Sequence, residues 1–209
     1  MGRRKGHRGG AEAPAQPVVT GDSLAREAVA PLLRGRFGHV YVYAERCAST
    51  QRLLDPALPE GAVAVAEEQT EGRGRLGRPW IAPPRTSILC STLLRPPVDP
   101  ARLPELTAIA AAACAEAIAS ETALTPHVKH PNDVLLGGRK VAGILGEARE
   151  GAVFLGIGVN VNIDAGSLPR DTRIPATSLL VETGAPTPRA ALLATLLERL
   201  ERHYDLWIA

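Results

Sequence analysis

Three segments of the chain hold side chains whose types and spacing could do chemistry. Residues 68–80 read Glu-Gln-Thr-Glu-Gly-Arg-Gly-Arg-Leu-Gly-Arg-Pro-Trp. Gly72, Gly74 and Gly77 let the backbone come close to a ligand. Arg73, Arg75 and Arg78 supply forked donors for carboxylate or phosphate oxygens. The glycines match the pattern G-x-G-x-x-G, but a dinucleotide fold needs them to open a helix. Pro79, Pro83 and Pro84 follow at once and forbid one. No Gly-Lys-Ser/Thr follows either, which excludes a P-loop. On residue types alone the segment is a loop that closes over an anion, or a solvated basic or RNA-binding arginine–glycine stretch.

The second segment is His127-Val-Lys-His-Pro-Asn-Asp133, followed by Arg139-Lys-Val-Ala-Gly-Ile-Leu145. Lys129 is expected to end a strand just before a Pro-Asn-Asp turn, which would aim its ammonium group into a defined place. His130 precedes proline and has no visible partner, so it reads as a packing or stacking residue rather than a base. The third segment, Gly156-Ile-Gly-Val-Asn160, reads as a strand with glycines where a side chain would block a ligand or a neighbouring backbone; a bulge is the alternative. The Asn160 amide can both donate and accept. No Ser/His/Asp arrangement and no carboxylate pair stands out.

These segments need elements to position them. Alternation and β-forming residues predict strands at 39–45, 62–68, 87–94, 126–129, 133–136, 140–147 and 152–159. Gly137-Gly138 is a two-residue hairpin signal. A short helix over 23–34 is broken near Pro31, and Ser49 is a candidate N-cap. Pro104 suits the first turn of a long helix running to about Glu121, with Leu106, Ile109, Ala110, Ala113, Ala117 and Ile118 on one face. Thr187-Pro188 opens a final helix whose inner stripe is Leu193, Leu196, Leu197, Leu200 and Tyr204. Strand runs with a few interspersed helices give an α+β class around a mixed β-sheet with flanking helices.

The bulk numbers set outer limits. Of 209 residues, 45% are hydrophobic and only 3% aromatic, so the core must be mainly Ala, Val, Leu and Ile. Net charge is +2, and residues 1–21 carry four cations against Glu12, leaving the body slightly acidic. A disordered basic tail over 1–21 and one domain over 22–209 are expected. A body of that charge is no nucleic-acid module, and no apolar stretch approaches the ~18 residues of a membrane span. Cys47, Cys90 and Cys114 show no metal or disulfide spacing, which fits a reduced cytoplasm.

Taken together, Ser49-Thr-Gln, Gln69, the Gly72–Trp80 loop, Lys129-His-Pro-Asn-Asp133, Arg139-Lys-Val-Ala-Gly-Ile-Leu145 and Gly156–Asn160 resemble biotin–protein ligases in order and spacing, over roughly residues 40–206. The resemblance implies the fold related to class II aminoacyl-tRNA synthetases. It also implies the reaction: the biotin carboxylate attacks the α-phosphorus of ATP to give biotinyl-5′-AMP and pyrophosphate. A lysine of a biotin carboxyl carrier protein then takes the biotinyl group. By resemblance the catalytic residues are Lys129, at the carboxylate and α-phosphate, with Arg73 and Arg75 in the closing loop. Biotin-site positions are matched by Ser49, Thr50, Gln51, Gln69, Gly72, Arg73, Gly74, Arg75, Lys129, Gly143, Gly156 and Gly158. Nucleotide-side positions are matched by Trp80, Asn132, Lys140 and Asn160. Mg²⁺ is expected on the phosphates, held by substrate and water, with no protein metal ligand named.

The chain departs from the family in four places. His130 stands where Trp is usual, and Gln51 where Asn is commoner. No N-terminal helix-turn-helix is expected, hence no DNA partner. The chain stops at Trp207-Ile-Ala209, where relatives continue into an SH3-like barrel. A homodimer stays open. Lipoate and octanoate transferases of the same superfamily lack the Gly-Arg-Gly-Arg loop.

Overall fold

The computed structural model describes residues 21–170 and 172–209. The basic tail expected over 1–21 therefore lies, Gly21 apart, outside the described residues.

Seven strands form one sheet: β1 (Tyr41–Cys47), β2 (Val63–Gln69), β3 (Ser87–Leu94), β4 (His127–Lys129), β5 (Asp133–Leu136), β6 (Arg139–Arg149) and β7 (Ala152–Asn160). Their order is β1-β2-β3-β7-β6-β5-β4. β1 and β2 run parallel and every other pair is antiparallel. The helices are α1 (Arg26–Val29), α2 (Thr50–Leu53), α3 (Glu105–Thr122), α4 (Leu179–Thr183) and α5 (Arg189–Ile208). The segment expected as a helix over 23–34 breaks as Pro31 requires, into α1 and a 3₁₀ turn over Ala30–Leu32.

Alternation along the strands sends the large apolar side chains to one face. Val63 and Val65 of β2, Ile88, Cys90 and Leu94 of β3, and Val153, Leu155, Ile157 and Val159 of β7 join one buried cluster. α3 and α5 close it with Leu106, Ala110, Ala113, Ala117 and Ile118, and with Leu193, Leu196, Leu197, Leu200 and Tyr204. The alanine-rich stripe of α3 lets its backbone lie close to its neighbours, which a chain poor in aromatics needs in order to pack without voids. The other face carries a small apolar cluster at one end only, built on Leu54, Leu93 and Phe154. The rest of that face across β3, β7 and β6 includes Ser91 opposite Gly156, Gly143 opposite Gly158, and Leu89 and Leu145 beside them.

A bulge interrupts this alternation. Val134 of β5 pairs with Ala142 of β6, but the next residue, Leu135, pairs with Lys140. Val141 is the extra residue, and Val141 and Ala142 are both fully buried. The inserted residue reverses side-chain parity, so Lys140 and Gly143 share one face: a Cβ on Gly143 would sit 3.0 Å from Lys140 Nζ.

One charged cluster lies inside the helix-covered side. Arg189, fully buried at the start of α5, donates from Nε to Asp22 Oδ2 (2.8 Å) and from Nη1 to Glu67 Oε2 (2.6 Å) and the Ser87 carbonyl (3.1 Å). Desolvation alone would lower the pKa of this guanidinium, but the hydrogen bonds to Glu67 and Asp22 outweigh it and the net shift is upward. The cluster ties the segment before α1 to β2, β3 and α5.

Candidate functional site

The glycine–serine face of the sheet is the floor of an open cleft. Its walls come from α2, the loop after β2 and the start of β6. Two patches of the floor are defined by what a side chain would strike. A Cβ on Gly156 would lie 3.2 Å from Gln51 Nε2, and one on Gly158 would lie 2.5 Å from the Trp80 indole. A side chain at 158 would have to displace the indole, while one at 156 would press on the Gln51 amide.

One end of the cleft is polar and uncharged. Gln69 Oε1 accepts from the Thr50 amide (2.7 Å) and from Thr50 Oγ1 (3.1 Å), and Thr50 Oγ1 also lies 2.7 Å from Ser91 Oγ. Gln51 donates from Nε2 to the Leu145 and Phe154 carbonyls, at 3.0 and 2.8 Å, which fixes the orientation of its amide. Ser49 has extended backbone at the N-cap of α2, with no side-chain cap bond. This end offers hydroxyls and amides in a fixed arrangement, suited to a neutral ligand with both N–H and C=O groups.

The other end is cationic. The loop after β2 turns back on itself: Trp80 N–H donates to the Gly72 carbonyl (2.8 Å) and Gly74 N–H to the Arg78 carbonyl (2.7 Å). Gly72 permits this, since a Cβ there would meet the Trp80 carbonyl oxygen at 2.7 Å. Leu76 sits at the tip with φ +60° and is 85% exposed. The turn brings Arg73 and Arg75 to the cleft, where Arg75 Nη1 donates to Asn132 Oδ1 (3.0 Å). Lys140 completes the set: its Nζ lies 2.6 Å from Asp133 Oδ1 and 5.6 Å from the Trp80 ring centroid. Asn132 in turn donates from Nδ2 to the Ile144 carbonyl (3.2 Å). Trp80 Nε1 is buried and has no hydrogen-bond partner among the described residues. Three cations line the cleft among the described residues, with Lys140 paired to Asp133 at its edge and the two arginines without a carboxylate in the lining, so the site favours an anionic ligand.

The profile of the biotin/lipoate A/B protein ligase family matches residues 43–164, a stretch that includes β2, the Gly-Arg loop and the whole glycine floor. The chain belongs to that family. The Bacillus subtilis bifunctional ligase/repressor BirA is 34% identical over 176 residues, which cover 80% of this chain and 54% of BirA. The Mycobacterium tuberculosis biotin–[acetyl-CoA-carboxylase] ligase is 38% identical over 152 residues, 71% of this chain and 56% of the relative. The chain thus spans about half the length of these curated relatives. The solved structure of the Aquifex aeolicus biotin protein ligase in complex with biotin and ATP superposes with TM-score 0.74 at 30% identity, covering 81% of this chain and 72% of that one. The mixed sheet with its long helices on one face is the class II aminoacyl-tRNA synthetase-like architecture of these ligases.

Of the residues expected at the site, the fold brings thirteen to the cleft: Ser49, Thr50, Gln51, Gln69, Arg73, Gly74, Arg75, Trp80, Asn132, Lys140, Gly143, Gly156 and Gly158. Three stand elsewhere. Lys129 is exposed on the edge strand β4 and does not line the cleft. Gly72 lies on the outer side of the loop, facing the adjoining surface hollow. Asn160 shares the face of Gly156 and Gly158 but is buried at the end of β7 and does not line the cleft, donating to the Thr177 carbonyl (2.9 Å). Ser91 and Leu145 line the cleft without having been singled out, and Ile157 borders it although it belongs to the helix-covered cluster. For Ser91 a signal existed, a hydroxyl interrupting the apolar run of β3. Cys90 also reaches the lining, but burial pushes its thiol up to about 12, so it is no nucleophile at neutral pH.

Proposed function

We propose that the chain is an ATP-dependent biotin–protein ligase that adenylates biotin and passes it to a lysine of a biotin carboxyl carrier protein. The observation that carries this reading is the two-ended cleft: a neutral, hydroxyl- and amide-lined end beside an end holding Arg73, Arg75 and Lys140 with no carboxylate among the described lining residues. The neutral end fits the ureido ring of biotin. The cationic end fits the place where a carboxylate must meet a triphosphate.

That meeting is the physical difficulty of the reaction. Two like unit charges ~4 Å apart repel by about 4 kcal/mol at an effective dielectric near 20. Fixed cations offset this, most of all where charge builds up in the transition state. In the proposed step a biotin carboxylate oxygen bonds to the α-phosphorus while the bond to pyrophosphate breaks. In the second step the carrier lysine amine attacks the biotinyl carbonyl and AMP leaves. We assign the cation between carboxylate and α-phosphate to Lys140 in place of Lys129, because the bulge at Val141 turns Lys140 toward the glycine floor. Arg73 and Arg75 close over the mixed anhydride and keep water from it. Trp80 and Asn132 flank the nucleotide side.

Magnesium enters this proposal as part of the substrate MgATP, and neutralises phosphate charge when bound. Among the described residues there is no group of three or more His, Cys, Asp or Glu that could hold a metal ion. No helix of the described chain is long and apolar enough to cross a membrane. The cytoplasm is the proposed compartment, where the three free thiols stay reduced.

The test is incubation with biotin, MgATP and a carrier domain. Pyrophosphate release followed by biotinylated carrier is expected; no pyrophosphate at saturating substrates refutes the reading. Lipoate separates the two branches of the family. It has no ureido group for the neutral end, so it should not compete with biotin, and effective competition would shift the assignment to lipoyl transfer.

A further inference from the structure

The neutral end of the cleft is carried by a helix that cannot hold its own shape. α2 is a single turn of four residues, too short to be stable without outside contacts. Its start is held by the bond from the Thr50 amide to Gln69 Oε1 (2.7 Å), and its Gln51 side chain by the Leu145 and Phe154 carbonyls. The main chain at Gln51 is held from a third direction. Arg149, the half-buried last residue of β6, donates from Nη2 to the Gln51 carbonyl (2.7 Å). That carbonyl is one of those a one-turn helix leaves without a partner of its own. Arg149 Cζ also lies 3.7 Å from the centroid of the Phe154 ring. Arg149 pairs with Ala152 across the turn between β6 and β7, so Phe154 is its diagonal neighbour, within reach of a long side chain. Among the described residues its partners are this ring and this carbonyl, not a carboxylate, and it does not line the cleft. A planar guanidinium can stack on a ring and donate in its own plane at the same time.

We propose that Arg149 is a positioning residue for the neutral end of the cleft, acting through the Gln51 carbonyl rather than by touching a ligand. Phe154 fixes the plane of the guanidinium, and the guanidinium fixes the Gln51 peptide. Gln51 is then tied to the β6–β7 pair twice, by its main chain and by its amide. The turn of α2 cannot tilt away from the sheet, so Thr50 and Gln51 keep the spacing that a cyclic urea requires. The proposal rests on the ligase reading for the identity of the ligand, but not for the structural link.

Two variants test it. Arg149→Met keeps an apolar chain over Phe154 and loses the donor, whereas Arg149→Lys keeps a donor and loses the stack. In calorimetric titration with biotin alone, Arg149→Met should weaken binding about tenfold, with Arg149→Lys between it and the parent. In pyrophosphate release, kcat at saturating biotin and KM for ATP should both stay within about twofold. In amide hydrogen exchange of Arg149→Met, the Thr50 and Arg52 N–H groups should exchange about tenfold faster while those of α3 keep their protection. Unchanged biotin affinity or unchanged exchange at both amides overturns the proposal. So does an equal rise across α3, which would mean general destabilisation, or a loss in Arg149→Lys as large as in Arg149→Met. A raised KM for ATP with unchanged biotin affinity would move Arg149 to the nucleotide side and overturn it as well. If the unaltered protein binds no biotin, the ligase reading fails, and exchange at Thr50 and Arg52 still decides the link from Arg149 to α2.

Discussion

Along β7, Val153, Leu155, Ile157 and Val159 turn toward α3 and α5, while Phe154, Gly156 and Gly158 turn the other way. The first set meets the leucine and alanine stripes of two long helices and is lost to solvent. Past Phe154, the second set has no side chains at all, and Gln51 and Trp80 occupy the space they leave. One strand therefore serves two purposes by parity. Stability is concentrated on the helix-covered face, where each methylene is packed. The cleft face gives up those contacts, so it can carry fixed polar groups and cations without unfolding the chain. Substitutions on the two faces should separate stability from activity.

The sharpest way to break this contrast is at the buried ion cluster. Arg189→Met leaves Asp22 and Glu67 without their cation and should cost about 3–5 kcal/mol of unfolding free energy, read by urea denaturation. Leu193→Ala, in the same core, should cost about 2–5 kcal/mol. In both, KM for biotin should stay unchanged in the fraction that remains folded; a large KM effect would mean the faces are coupled. Next in size is Lys140→Ala, expected to slow pyrophosphate release by about 10²–10³-fold with unfolding free energy within about 0.5 kcal/mol of the parent. Lys129→Ala should leave the rate within about twofold. The reverse order for the two lysines would return the catalytic cation to the edge strand.

Gly158→Ala should be smaller, about 1–3 kcal/mol of lost ligand binding, because its Cβ must displace the Trp80 indole from the floor. A shift in tryptophan fluorescence should accompany it, and normal binding with an unmoved indole would contradict the described floor. The smallest effect concerns the thiols. Burial raises Cys90 to about 12 and raises Cys114 as well. The stabilisation this implies is complete below the ordinary thiol value and is lost as pH rises from there toward 12. At pH 8, iodoacetamide should label the half-buried Cys47 well before Cys90 or Cys114, as read by peptide mass spectrometry. Early labelling of Cys90 would mean its face of the sheet opens.

Much of the architecture was legible in the residues. All seven strands lie where alternation placed them, within a few residues at each end, and the stripes of α3 and α5 are buried as their spacing required. The glycines at 156 and 158 and the Gly-Arg loop announced a close backbone approach, and the fold brings them together at one cleft. These features are local: a period of two or 3.6, a proline that stops a helix, a glycine that clears space. They can be read within a dozen residues.

What the tertiary structure alone decided is which side chains share a space. A lysine before a turn looked better aimed than one at the start of a strand, yet Lys140 rather than Lys129 faces the glycine floor. The cause is one inserted residue, Val141, which inverts strand parity and is visible only once β5 and β6 are paired. The Thr50–Ser91 contact, the bond from Arg149 to Gln51 and the Arg189 cluster join residues tens to more than a hundred positions apart. No periodicity encodes such distances. They are set by how the sheet closes and by the need of each buried polar group to find a partner.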